Sequence, residues 1–181
     1  MKVKFRTVLY LLLVSLFIGC NEVNNKINEG FSEFEINEGN DALTVANEEE
    51  LAIALKEGYR ITIKNDIETN NELIMEGDFS KTDTTEGNKV SPIGRELNLF
   101  YINKSNNVIN SYTLSVPKLV IKSNDTTIKG GKIKGDIYVE SNGLILDYTK
   151  VEGNLYFKNK NNKDSFRLQN TASVSGNIEV E

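Results

Sequence analysis

The sequence predicts an all-β domain over residues 42–181, a short parallel β-helix closed at its N-terminal end by one helix. Three observations predict it. A seven-residue pattern recurs near the C-terminus, a second short apolar run recurs ahead of each copy, and the single helix with good termini stands just before the first strand.

The helix is expected over residues 48–57. Asn47 suits the N-cap, and Glu50 three residues later completes a capping box. Glu48 and Glu49 suit the positive end of the helix dipole, and Gly58 supplies a left-handed stop. Leu51, Ala54 and Leu55 fall on one face. So narrow an apolar stripe builds no core of its own, and the helix is expected to lie as a lid on the strands that follow.

Those strands begin at Ile61-Thr62-Ile63-Lys64 and Ile67, and resume at Leu119-Val120-Ile121 and Thr127-Ile128-Lys129. The repeat is clearest in Ile133-Lys134-Gly135-Asp136-Ile137-Tyr138-Val139, Val151-Glu152-Gly153-Asn154-Leu155-Tyr156-Phe157 and Val174-Ser175-Gly176-Asn177-Ile178-Glu179-Val180. The upstream run recurs as Ile128, Leu144-Ile145-Leu146 and Phe166-Arg167-Leu168. Spacings of 18 and 23 residues between the glycines lie in the range of stacked units, each burying little alone and a continuous aliphatic column together. Gly135, Gly153 and Gly176 are expected to take corner conformations closed to residues bearing a Cβ, with Asp136, Asn154 and Asn177 bonding the backbone beside them. The alternative is an antiparallel β-sandwich, whose hairpins also use Gly and Asn turns.

Residues 1–19 read as a secretion signal: Lys2, Lys4 and Arg6, then the mostly apolar run Val8 to Ile18, then Gly19. That run is about half the ~20 apolar residues a membrane-crossing helix needs. Phe17-Ile18-Gly19-Cys20 resembles the lipobox of bacterial lipoproteins, with Phe where Leu is usual. The resemblance implies that the Cys20 thiol is acylated and the chain cut just before it; the alternative is an ordinary secretory signal that happens to end at a cysteine. Cys20 is the only cysteine, so an exported chain offers it no disulfide partner. Two or three acyl chains then anchor the protein to the cell membrane or outer membrane, facing the periplasm or exterior. Residues 20–41, rich in Asn and Glu, read as a flexible tether, in which Phe31, Phe34 and Ile36 offer a short strand.

The formal net charge is −5, and loss of the signal removes three basic residues to leave −8. An acidic surface argues against nucleic acid and against charge-driven adhesion to anionic lipid.

The run from Asn47 to Leu55, followed by Ile61 to Ile67, looks like the opening of the pectate-lyase-like β-helix domains of bacterial surface proteins, where a capping helix precedes a strand ending in an Asp-Ile pair. The resemblance implies a right-handed parallel β-helix and, for the non-catalytic members, adhesion.

The chain has no histidine, which excludes Ser-His and Cys-His nucleophiles and zinc sites of the usual kind. A polysaccharide lyase would need an acidic cluster with cations, and Asp136, Asp147, Lys132, Lys134 and Lys150 are the candidates. They read better as corner and solvent-facing strand positions, so no catalytic residue, cofactor or metal ligand is assigned and an enzyme is not expected. The polar stretch from Glu76 to Glu96, holding Asp78, Asp83, Glu86 and Arg95, lacks the residue order of a calcium loop and reads as a disordered excursion. Tyr138, Tyr148 and Tyr156 are the candidate ligand-facing residues of an outward strip that could stack on sugars; Phe100, Tyr101 and Tyr112 complete the aromatic set. The expected function is an adhesive or glycan-binding envelope module. The alternative is a structural component acting by self-association or partner stacking through the end at Val180-Glu181, with a lyase as the third reading.

Overall fold

The computed structural model describes residues 42–83, 85, 87–102 and 108–181. The signal, Cys20, the tether and its short strand lie outside the described residues. In chain order the elements are β1 (Ala42–Val45), α1 (Glu48–Glu57), β2 (Arg60–Ile63), β3 (Ile67–Glu68), β4 (Leu73–Met75), β5 (Phe79–Asp83), β6 (Lys89–Ile93) and β7 (Glu96–Asn98). Then come β8 (Phe100–Ile102), β9 (Val108–Ser111), β10 (Thr113–Ile121), β11 (Thr127–Lys129), β12 (Lys132–Val139), β13 (Ile145–Asp147), β14 (Lys150–Glu152) and β15 (Leu155–Phe157). The chain ends with α2 (Lys160–Ser165), β16 (Arg167–Gln169), β17 (Ser173–Val174) and β18 (Ile178–Val180).

The protein is all-β, and its two large sheets are parallel. One runs β1-β2-β7-β11-β13-β16; the other runs β17-β14-β12-β10-β3, with β4 on β10 and β15 bridging β12 and β18. Among the described residues only the hairpins β5-β6 and β8-β9 pair antiparallel, so the sandwich alternative does not describe the main sheets. Successive units each send three short runs into these sheets. Thr127 pairs with Ile145, Ile133 with Val151 and Ile137 with Leu155, an offset of 18 residues in all three. The long strands β10 and β12 serve two runs each, joined at a register irregularity between Ser115 and Lys118. Pro117 sits there, where a missing N–H donor is tolerated.

Parallel register stacks like on like. Ile61, Leu97, Ile128 and Leu146 form one buried column; Leu119, Ile137 and Leu155 form a second; Met75, Ile121, Val139 and Phe157 form a third. Each burial of such a side chain contributes about 1.5–3 kcal/mol. Outward positions alternate with these and carry charge, as where Glu96 binds Arg60 and Lys129, both at 3.0 Å.

The helix occupies the expected residues. Asn47 accepts from the Glu50 N–H at 3.0 Å, although the Glu50 carboxylate returns to the Ala46 N–H and not to the cap residue's own. Leu51, Ala54 and Leu55 are fully buried. No helix among the described residues is long and apolar enough to cross a membrane.

Four expectations need correction. Gly58 is extended, at φ −102°, and not a left-handed stop. It is required by close approach, since a Cβ would lie 2.7 Å from Leu43 Cδ1; its N–H donates to the Ala54 carbonyl at 2.8 Å, and Arg95 adds donors to the carbonyls of Ala54 and Leu55. Of the three repeat glycines only Gly135 has positive φ, at 136°. Gly153 and Gly176 are needed for clearance instead, with Cβ positions 2.1 Å from the Gly135 carbonyl oxygen and 2.4 Å from Asn154 Oδ1. At the corner after β11, β13 and β16 the left-handed residues are Gly130, Tyr148 and Asn170, at φ 66°, 55° and 54°, and at the corner before β11 and β13 they are Asp125 and Gly143, at φ 53° and 79°. The stretch from Glu76 to Glu96 is ordered where it is described: it holds the β5-β6 hairpin, and Arg95 is 1% exposed. Finally, α2 is a second helix. Asn159 caps it by accepting from the Asn162 N–H at 3.0 Å, but its polar residues give no apolar period to read.

Candidate functional site

The outward strip of β10, β12, β15 and β18 brings together two of the three tyrosines. Val120, Tyr138, Tyr156 and Glu179 are register neighbours, and the Tyr138 and Tyr156 rings lie 4.8 Å apart at 33°. Lys118 places its Nζ 4.5 Å from the Tyr138 centroid. Lys118 comes from the strand before Tyr138 and Tyr156 from the strand after, so neighbours flank the Tyr138 ring on both sides. The carboxylate of Glu72, 2.9 Å away, holds the Lys118 ammonium above its ordinary pKa. Desolvation, then nearby Asp136, pushes the Tyr156 phenol up.

Beside this strip runs a polar ladder. Asp136 Oδ1 accepts from the Asn154 N–H at 2.7 Å and from its Nδ2 at 3.1 Å, and Asn154 Oδ1 accepts from the Asn177 N–H at 2.9 Å. The corner residues therefore stack from unit to unit as their recurrence suggests.

The remaining candidates are dispersed. Lys132 pairs with Glu152 at 2.5 Å, and this bond lowers the Glu152 pKa. Asp147 accepts from Asn170 Nδ2 at 2.5 Å. Lys134 and Lys150 are exposed. Asp136, Asp147, Lys132, Lys134 and Lys150 thus do not converge on one point, and no group of three potential metal-binding side chains occurs among the described residues.

Tyr148 stands apart from the other two tyrosines. It sits at the corner between β13 and β14, is 56% exposed, and holds a left-handed φ of 55°. Left-handed backbone costs a residue with a Cβ about 1–2 kcal/mol, and the equivalent corner one unit earlier is Gly130. Phe100 lies over that glycine, where a Cβ would meet its ring 2.3 Å away; Tyr101 is 39% exposed, and the Tyr112 hydroxyl accepts from Asn110 Nδ2 at 3.1 Å.

Sequence reasoning placed Arg95 in a disordered excursion and missed its buried role. Its guanidinium donates to the carbonyls of Leu55 at 2.8 Å, Glu76 at 2.6 Å, Ala54 at 3.2 Å and Gly58 at 3.0 Å, and lies 4.9 Å from the Phe79 centroid. Burial pulls its pKa down to about 10, still above neutrality, so the group is charged. No pattern in the sequence marks a residue that joins three loops distant in the chain.

Comparison with family models, with curated proteins and with solved structures finds no match to this chain.

Proposed function

We propose that this chain is a membrane-anchored envelope lipoprotein whose folded part is a short right-handed parallel β-helix serving as a non-catalytic adhesive, glycan-binding module. The β-helix reading is supported by the three-run unit, its 18-residue offset and its in-register parallel stacking. Right-handed crossover is the strong preference for parallel connections. The anchor rests on the signal-like run ending at Cys20. In the expected result, Cys20→Ser moves the protein from the membrane fraction to the soluble one and abolishes incorporation of a palmitate analogue. Unchanged membrane partition would sink the anchor.

The observation that carries the adhesive reading is Tyr148. An exposed aromatic at a left-handed corner works against stability, and strain of this kind concentrates where a side chain serves binding. Glycine holds this conformation without strain, so Tyr148→Gly is expected to leave stability unchanged or raise it by about 1 kcal/mol. The same variant should lose glycan binding on an array of wall and host-matrix polysaccharides. No binding by the unaltered protein to any glycan would overturn this reading.

A second reading has its own observation. In the last unit β16 is exposed along its length, and Leu168 and Val180 keep 45% and 41% exposure. These exposed positions support a structural role in which a partner's strand completes the stack.

A further inference from the structure

Of the dispersed candidates, the three lysines share one outward face with Glu152. Register pairs Lys132 with Lys150 and Lys134 with Glu152, so the four stand at the corners of a rectangle. Its sides are about 4.8 Å across the strands and about 6.6 Å along them. Lys132 crosses the diagonal to Glu152 at 2.5 Å. Lys134 and Lys150 are exposed, and their side chains have no hydrogen bond or ion pair among the described residues. All three lysines are near enough to Glu152 to hold its carboxyl below the usual range. The neighbouring strands bring no second carboxylate beside them: Thr113 and Ser115 adjoin Lys132 and Lys134, and Ser173 adjoins Lys150. Three lysines less one glutamate leave +2 on this face of a chain whose formal charge is −5.

Tyr148, on which the glycan-binding reading stands, is separated from Lys150 by Thr149 alone, a chain distance of at most about 7 Å. Resting on that reading, we propose that the glycan is anionic, and that Lys132, Lys134 and Lys150 receive its sulfate or phosphate esters in preference to uronate carboxylates. Charge complementarity selects an anion. At physiological ionic strength a charge is felt over about 8 Å, so a ligand lying on the rectangle meets its lysines before the acidic remainder of the molecule. The donor set selects the ester. A planar carboxylate is matched best by the planar fork of arginine, and β10, β12, β14 and β17 contain no arginine. Ammonium groups are point charges whose donors turn freely, and several of them on two adjacent strands suit a tetrahedral oxyanion, whose oxygens accept from different sides. Glu152 competes with that ligand for Lys132 and repels it.

The test is binding of the purified full-length protein, in detergent when it carries lipid, to an array bearing each polysaccharide unmodified, carboxymethylated, sulfated and phosphorylated. The ester-bearing forms should bind about tenfold tighter than the other two, and the sulfated and phosphorylated arms show which ester is preferred. Raising salt from about 0.05 to 0.5 M should weaken that binding, because the contact is exposed and therefore screened. Lys134→Gln together with Lys150→Gln should weaken it about tenfold, with an unchanged circular dichroism spectrum since both residues are exposed. Glu152→Gln should instead strengthen it about threefold, a gain that no folding defect imitates. Equal binding to carboxymethylated and ester-bearing chains overturns the choice of ester. Preference for unmodified chains, or indifference to the lysine and Glu152 variants, overturns the proposal and leaves the glycan reading standing. Binding to phosphatidylglycerol vesicles as tight as to the ester-bearing chains makes the face a lipid contact and overturns it as well. Binding to no form of any polysaccharide overturns the glycan reading and this proposal with it.

Discussion

Arg95→Ala is expected to remove about 3–5 kcal/mol of folding free energy, the scale of stripping one partner from a buried charged network. The guanidinium serves four carbonyls at once: it binds those of Ala54 and Leu55 at the end of α1, holds Gly58, and ties in Glu76 beyond β4. The last carbonyls of a helix have no partner within it and must find one elsewhere. Alanine leaves the Gly58 and Glu76 carbonyls facing a void that water does not readily fill, each at about 1–3 kcal/mol less whatever relaxation recovers, while those of Ala54 and Leu55 keep the N–H groups of Gly58 and Glu76. Arg95→Lys keeps the charge but loses the planar fork, and should fall between. Urea denaturation followed by circular dichroism reads the loss, and hydrogen exchange should show the α1 amides opening first. A loss below about 1 kcal/mol for Arg95→Ala would mean that these carbonyls are solvated and that the helix needs no such clamp.

Gly135→Ala is expected to be as severe, for a different reason. Its Cβ would stand 1.6 Å from the Val116 carbonyl oxygen, and its φ of 136° is closed to alanine. Backbone atoms cannot yield as a flexible side chain does, and Val116 and Pro117 sit at the bend of the neighbouring strand. Strain and overpacking together should cost at least about 3 kcal/mol. Gly87→Ala is the control. That glycine also has positive φ, at 71°, but nothing lies within 4 Å of the added methyl, so only the conformational cost of about 1–2 kcal/mol remains. Thermal melts of the two variants should differ widely; similar melting points would show that the packed corner relaxes.

The fold was legible because its repeat is short and its columns are simple. Ile133, Val151 and Val174 stand in one register column, as do Ile137, Leu155 and Ile178, and the pattern that aligns them in sequence is the pattern that pairs them in space. The same regularity failed earlier in the chain, where hairpins intrude. Between Glu96 and its partner Thr127 the chain makes the β8-β9 excursion, and between Arg60 and Glu96 it makes β5-β6, so the spacing no longer announces the unit. The glycines were correctly singled out but for one wrong cause. Composition alone does not separate a glycine wanted for its φ from one wanted for its missing Cβ, whereas Gly153 against the Gly135 carbonyl does so at once. Of the three tyrosines, Tyr138 and Tyr156 come together because they are one unit apart, and Tyr148 does not because it occupies a corner.

The placing of Arg95 also bears on how the molecule withstands tension. A pull transmitted from the residues before Ala42 reaches β1 first, which is joined to the rest along β2 on one side only. Once those bonds part, the load passes to α1, and from there to the contacts that tie the end of the helix to the residues on either side of β5-β6, chiefly the Arg95 guanidinium with the Glu76 N–H beside it on the Leu55 carbonyl. Arg95 would then be the rip-stop of the fold: the point at which peeling from one end must pause before the stacked columns begin to shear.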